Sequence, residues 1–136
     1  MLTPLRARST SRQATKRLVV LRAIANGLSQ KGEATVRLFG GPVESRDLAT
    51  AYCYVSSRAV RVSGGLMAPL LDLANHSADP NCAIATGSGG VVAVVAQKKV
   101  EAGTPVTISY GPASDAQLLL DYGFTLPEGT NPFGAN

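Results

Sequence analysis

The chain has 136 residues, of which 45% are hydrophobic and 16% charged, and it contains no tryptophan. This length indicates one domain, with a core of many small contacts because much of the apolar content is alanine and valine. The longest apolar run, residues 91–96, is far shorter than the roughly 18 residues of a membrane-spanning helix, so we expect no bilayer-spanning segment.

Positive charge is concentrated at the N-terminus. Seven of the 13 basic residues precede the first acidic residue, Glu33, and the remaining chain has six basic against nine acidic residues. Residues 1–31 therefore form a basic segment, and its many Ser and Thr residues are typical of a mitochondrial or plastid transit peptide of an intracellular protein. Apolar residues also recur there at helical spacing, at Leu18, Leu21, Ala25 and Leu28. This spacing supports a helix as strongly as the composition supports a transit peptide. No aromatic residues accompany the arginines, so we expect no nucleic-acid partner.

The middle of the chain predicts an irregular connection followed by a helix. Residues 32–50 contain Gly40, Gly41 and Pro42, which interrupt regular structure, and Ser45 can cap the next helix. That helix is predicted over residues 46–60. It should pack through one apolar face, formed by Leu48, Ala51, Tyr52, Val55 and Ala59.

The second half predicts short strands and one late helix. The β-prone runs "CAIAT" and "VVAVVAQKK" are separated by "GSGG", which is a hairpin signal, and residues 91–96 show no polar alternation, as in a strand buried on both faces. A strand ending at Tyr110 precedes a helix over residues 114–121, with Leu118 and Leu119 inward. A glycine- and proline-rich extended tail follows at residues 126–136. Helices followed by short strands predict an α+β fold.

Two cysteines and one histidine limit the metal chemistry. Cys53 and Cys82 form no Cys-x-x-Cys pair, and together with His76 they cannot supply the usual four zinc ligands. We therefore expect no metal site and two buried, reduced thiols, a disulfide being the alternative. Taken alone, His76 favours a hydrogen-bonded structural histidine, since no Gly-x-Ser-x-Gly elbow accompanies it.

A set of linked motifs carries a more specific signal. The segment "DLANHSADPN" at residues 72–81 is followed by "ISYG" at 108–111 and "LLLDYGF" at 118–124. In order and spacing these motifs resemble the C-terminal half of the SET domain of protein lysine methyltransferases. The segments "SRAV" and "LMAPLLD" that precede them resemble more closely the subgroup typified by the Rubisco large-subunit methyltransferase. The resemblance covers residues 51–125.

The resemblance implies a particular fold. We expect a SET-like arrangement of short β-strands, a β-clip with a knot-like C-terminal part, preceded by a helical insert over residues 32–50. The domain is expected to be incomplete, because residues 1–50 contain no counterpart of the Gly-x-Gly turn with which the family's domain begins.

The resemblance also implies roles for individual residues. Asn75 and His76 would bind S-adenosylmethionine, and Tyr110 would be the active-site tyrosine that also contacts this cofactor. Tyr122 and Phe124 would line the channel for the substrate lysine. Two further candidates would lie near the substrate or hold the motif loop, namely Asp72 and Arg58.

The implied activity is S-adenosylmethionine-dependent methyl transfer to a lysine side-chain amine of a protein substrate. A dry channel suits this reaction because the amine must be neutral to attack, whereas a free lysine has a pKa of about 10.4. The alternative is a truncated, catalytically inactive SET-like domain that acts in protein–protein interaction. A further interpretation is that a partner chain completes the domain.

Overall fold

The computed structural model describes residues 4–60 and 65–134. The helices are α1 (Pro4–Ser29), α2 (Glu33–Phe39), α3 (Ser45–Arg58) and α4 (Asp115–Tyr122). The strands are β1 (Ala59–Val60), β2 (Leu66–Met67), β3 (Asn75–His76), β4 (Cys82–Thr86), β5 (Val92–Ala96) and β6 (Thr107–Ile108). The predicted α+β class is confirmed, and within the described ranges no helix is both long and apolar enough to cross a membrane.

Helices α1, α3 and α4 pack against one another. The inward face of α1 includes Ala25, which is buried, and the half-buried Leu21 and Leu28, as their helical spacing predicts. Leu18 is exposed, contrary to that prediction. Arg17 faces α4 in its place, because its guanidinium pairs with an acidic side chain there.

The predicted connection contains α2, which is fastened to α1 by a hydrogen bond from Thr35 Oγ1 to Leu28 O. Helix α3 then begins at Ser45, one residue after its N-cap, Glu44, whose backbone N–H donates to Asp47 Oδ2 at 3.0 Å. The prediction that Ser45 caps this helix is therefore wrong. Glu44 and Asp47 form a reciprocal capping box in place of a serine cap.

Helix α3 ends earlier and is more exposed than predicted. It stops at Arg58 because Ala59 and Val60 leave the helix and pair as β1 with Met67 and Leu66 of β2. None of its residues is buried, and Tyr52 and Val55 of the predicted inward face are exposed. Leu48 and Ala59 of that face are partly buried and α3 packs against α1 and α4, so within the described residues the face is covered only in part.

The predicted hairpin is confirmed. Strands β4 and β5 pair antiparallel from Cys82 opposite Ala96 to Thr86 opposite Val92. The prediction that residues 91–96 are buried on both faces is wrong, since the Val95 side chain is 44% exposed. In the described part of the chain this sheet has two strands, and β5 ends on two exposed residues, Val95 and Ala96.

A parallel strand pair joins two distant motifs. Strand β3 pairs with β6, with Asn75 opposite Thr107 and His76 opposite Ile108. The Asn81 side chain reinforces this pairing, because Asn81 Oδ1 accepts from Thr107 N at 2.9 Å and Asn81 Nδ2 donates to Pro105 O at 3.0 Å. The turn between β3 and β4 is thereby held beside the strand that leads to Tyr110.

Helix α4 follows β6 and turns the chain back towards the site. Its N-cap is Ser114, whose Oγ accepts from Gln117 N at 3.3 Å, and it ends at Gly123, which adopts a left-handed φ of 81°. Leu118 is fully buried as predicted, but Leu119 is 39% exposed, so its predicted inward position is wrong. Asp121 is the other buried residue of this helix.

The two cysteines differ in exposure. Both are free, Cys82 is buried and Cys53 is exposed, so the prediction of two buried thiols holds for Cys82 alone and the disulfide alternative is wrong.

This difference predicts selective labelling. We expect N-ethylmaleimide to add once to the native chain, at Cys53, and twice after denaturation, because a buried thiol is shielded from the reagent. Intact-mass spectrometry measures the additions. The Cys53→Ser variant is the control and should stay unlabelled until it unfolds; rapid labelling of native Cys53→Ser would contradict the burial of Cys82.

Candidate functional site

Tyr110 is fastened at both ends to the segment that carries Asn75 and His76. Its backbone N–H donates to His76 Nδ1 at 3.1 Å, and its phenolic hydroxyl donates to Ala74 O at 2.9 Å. The pairing of β3 with β6 makes both bonds possible by bringing the two segments side by side. The tyrosine ring is therefore held in a defined orientation beside Asn75.

Aromatic rings cluster around Tyr110. The ring of Tyr122 lies 4.6 Å from that of Tyr110 between centroids, and the ring of Phe124 lies 6.4 Å from it. The ring of His76 is 5.3 Å from Tyr110 and 6.1 Å from Phe124. All of these separations are in the range of favourable aromatic pairs.

A cavity of about 350 Å³ opens beside this cluster. Its volume is in the range of small-molecule sites in proteins, and its wall combines aromatic and polar groups. The lining residues are Ser57, Arg58, Asp72, Leu73, Asn75, Tyr110, Tyr122 and Phe124.

An ion pair closes one side of the cavity. Arg58 Nη1 lies 3.3 Å from Asp72 Oδ2, which links the last residue of α3 to the short 3-10 turn Leu71–Leu73. The carboxylate is the more buried partner, whereas the guanidinium is largely exposed. We expect this pair to orient the cavity wall more than to stabilise the fold, since exposed ion pairs contribute little to stability.

Burial favours the neutral forms of the His76 imidazole and the Tyr110 phenol. Burial lowers the pKa of the His76 imidazole from its ordinary value, although a hydrogen bond with the backbone of Ile108 opposes the shift. A neutral imidazole also suits its hydrogen bond, because Nδ1 accepts from Tyr110 N. Burial, followed by the neighbouring Tyr122, raises the pKa of the Tyr110 phenol. Tyr110 therefore acts as a hydroxyl and not as a phenolate.

The lowered pKa of His76 predicts a pH dependence of stability. As the pH falls through the ordinary histidine value near 6.5, the unfolded chain takes up a proton before the folded chain does. The free energy of unfolding should therefore decrease from there down to the lower pKa of the folded state. Urea unfolding between pH 7.5 and pH 5 measures this, and the His76→Gln variant should show a smaller decrease. An equal decrease in both proteins would contradict the assignment.

The structure brings the sequence-predicted site residues together. Six of the seven line the cavity, and His76 contacts the aromatic cluster from the side of β3. Their individual roles stay predictions. Two further lining residues, Ser57 and Leu73, were given no role from the sequence, although both lie inside or next to the quoted motifs. In the described part of the chain no group of three or more His, Cys, Asp or Glu residues is arranged to hold a metal ion.

Comparison with known proteins identifies the family of the chain. The family model of the SET domain matches residues 6–111, which is most of the chain. The chain belongs to the SET domain family. The matched range begins within α1 and ends just after Tyr110, so Tyr122 and Phe124 lie beyond it and are placed at the site by the structure.

Relatives and solved structures agree with this assignment. The chain is 29% identical over 100 residues to "SET domain-containing protein 4" of Artemia parthenogenetica. The aligned region covers 64% of this chain and 25% of that protein. Its fold is similar to the SET domain of LSMT bound to lysine and AdoHcy, with a TM-score of 0.69, 25% identity and coverage of 93% of this chain and 33% of that chain. It is also similar to Rubisco LSMT bound to AdoMet, with a TM-score of 0.65, 29% identity and coverage of 84% and 27%.

These similarities confirm the predicted family and the SET-like α+β fold. The chain spans about a quarter of the length of the curated SET domain relative that it matches and about a third or less of the solved neighbours.

Proposed function

We propose that this protein is an S-adenosylmethionine-dependent protein-lysine N-methyltransferase. One observation carries the proposal: Tyr110, Tyr122 and Phe124 wall a cavity that also contains Asn75, in a chain whose fold matches an LSMT SET domain bound to lysine and AdoHcy. A further solved neighbour is bound to sinefungin and monomethyllysine, with 30% identity and a TM-score of 0.58.

The residues present suit S-adenosylmethionine. Asn75 is exposed at the cavity, where its side-chain amide can bind the cofactor's amino-acid end, and the faces of the three aromatic rings attract a sulfonium cation. The cofactor, when bound, supplies a methyl group whose bond to sulfur breaks as its bond to the lysine nitrogen forms, while the electron pair stays on sulfur. His76 belongs to the same strand as Asn75, and its Nδ1 accepts from the backbone N–H of Tyr110, which holds Tyr110 beside that strand.

The aromatic wall suits the lysine substrate. Tyr110, Tyr122 and Phe124 exclude water from the side of the alkyl chain and restrict the direction from which the amine approaches. Loss of water disfavours the ammonium form, so lysine more readily releases its proton to solvent before it attacks. The Tyr110 hydroxyl donates to Ala74 O, and the lone pairs of its oxygen can accept a hydrogen bond from the amine.

Methyl transfer can be measured directly. The chain is incubated with S-adenosylmethionine that carries an isotope-labelled methyl group and with a lysine-rich peptide pool, and the peptides are analysed by mass spectrometry. We expect labelled methyl groups on lysine nitrogen and none on a matched pool with arginine in place of lysine. Cofactor binding without any transfer to lysine would contradict the lysine-methyltransferase proposal.

A second candidate function is protein–protein interaction by a catalytically inactive SET-like domain. It is favoured by apolar side chains exposed along α1 and α2, which are Leu18, Val19, Val20, Ile24, Val36, Leu38 and Phe39. The same surface also suits a partner chain that completes the catalytic domain. Gain of methyl transfer on addition of such a partner would favour the enzyme, whereas binding without any gain would favour the interaction role.

A further inference from the structure

One carboxylate is buried among the packed helices, just outside the cavity. The Asp121 side chain is only 4% exposed, and its Oδ1 lies 2.7 Å from Arg17 Nη1 of α1. Its Oδ2 accepts a hydrogen bond from Gln117 Nε2, one turn earlier in α4. A buried carboxylate is unfavourable unless its charge is paired, so these contacts commit Asp121 to one position.

Arg17 connects this carboxylate to the third helix of the packed group. Its guanidinium carbon lies 5.6 Å from the centre of the Tyr52 ring of α3, within the distance of a cation–π contact. One side chain of α1 therefore contacts both α3 and α4.

The buried carboxylate directly precedes the aromatic wall. Tyr122 is the next residue, Gly123 reverses the chain with a φ of 81°, and Phe124 follows. Consecutive side chains of a helix point in directions that are fixed relative to one another by the helical period. Holding Asp121 towards α1 therefore also fixes where Tyr122 points, namely against Tyr110 at 4.6 Å.

We infer that Arg17 is a positioning residue for the lysine channel. Through its ion pair with Asp121 it sets the rotation of the last turn of α4, and with it the positions of Tyr122 and Phe124. The inference rests on the proposed function, because that function gives these two rings their substrate. A residue of the basic segment therefore sets the positions of two rings of the site, although it does not itself line the cavity.

The contrasting role is purely structural. Buried ion pairs often contribute little net stability, and removing one partner destabilises a protein without necessarily moving a distant ring. The two roles therefore differ in what happens to Tyr122 in a folded variant, and not in whether stability changes.

The first test follows the tyrosine rings independently of activity. The four tyrosines are replaced by 3-fluorotyrosine, and their ¹⁹F resonances are assigned by Tyr-to-Phe variants. We expect Arg17→Met to shift the resonances of Tyr52 and Tyr122 but not that of the exposed Tyr54, and Arg22→Met, at an exposed arginine of the same helix, to shift none of the three.

The second test compares the KM for a lysine peptide with the affinity for S-adenosylmethionine. For Arg17→Met we expect the KM for a lysine peptide to rise about tenfold with an S-adenosylmethionine Kd within about twofold of wild type, because a displaced ring misaligns the lysine and not the cofactor. Arg17→Lys keeps the charge and should recover part of the loss. If Arg17→Met does not fold, the double variant Arg17→Met with Asp121→Asn removes the unpaired charge and is measured in its place.

Two results would overturn the inference. One is an unmoved Tyr122 resonance in a folded Arg17 variant whose Tyr52 resonance shifts, and the other is a lower stability with an unchanged peptide KM. Failure of the methyltransferase proposal itself would instead appear as absent transfer by the wild-type chain, and the fluorine experiment would still decide the positioning role.

Discussion

We expect the Tyr110→Phe variant to transfer methyl groups to lysine about 100-fold more slowly than the wild-type chain. The change removes one oxygen, which fastens the ring to Ala74 O at 2.9 Å and belongs to a residue that lines the cavity. The ring itself and the hydrogen bond from Tyr110 N to His76 are retained. The kcat and the KM for a lysine peptide, measured by mass spectrometry, report the effect.

The matched control for this variant is Tyr54→Phe. Tyr54 is exposed on α3 and is not among the residues that line the cavity, so its hydroxyl should be dispensable for transfer. The S-adenosylmethionine Kd should be similar in both variants. A Tyr110→Phe protein with wild-type kcat would remove Tyr110 from the proposed chemistry.

The Leu118→Ala variant should lose about 2 to 5 kcal/mol of unfolding free energy. Leu118 is fully buried where α4 packs against α1 and α3, so truncation leaves a cavity at the junction of three helices. For a chain of this size the midpoint of thermal unfolding should fall by roughly 10 °C. Circular dichroism during heating and urea titration measures both quantities.

Leu119→Ala is the natural control, since it is the same substitution in the next residue of the same helix. Because Leu119 is 39% exposed, we expect its truncation to change the unfolding free energy by less than about 1 kcal/mol. Equal losses in the two variants would mean that the side of α4 turned inward is assigned incorrectly.

The sequence predicts local structure better than it predicts burial. The hairpin and the helix predicted over residues 114–121, which the structure has as Asp115–Tyr122, depend on neighbouring residues and are therefore accessible from short patterns. Which face is covered depends on what packs there. Val95 is exposed for this reason, although its run of six apolar residues predicts a strand buried on both faces.

Asp121 shows the same limit more sharply. Asp121 lies near the C-terminal end of α4, and the helical pattern predicts Leu118 and Leu119 as the inward residues. The carboxylate is buried because Arg17, distant in sequence, supplies the opposite charge, and no local pattern encodes that pairing.

The candidate site was predictable from linked motifs but not from single residues. Taken alone, His76 and Tyr110 suggest a structural histidine and a strand aromatic. Their order and spacing with the later "DYGF" segment indicated one site, and the parallel pairing of β3 with β6 provides the physical link between them. The contribution that we infer for Arg17 lies outside those motifs and required the packing of α1 on α4.

Calorimetric titration of the purified chain with S-adenosylmethionine tests the central claim most directly. We predict saturable binding with one site per chain and a micromolar Kd, weakened at least about tenfold by Asn75→Ala through loss of a hydrogen bond to a charged group. Asn26→Ala, at an exposed asparagine of α1, should leave the affinity unchanged. A folded wild-type chain that binds no S-adenosylmethionine at millimolar concentration would contradict the assignment of this cavity as a methyl-transfer site.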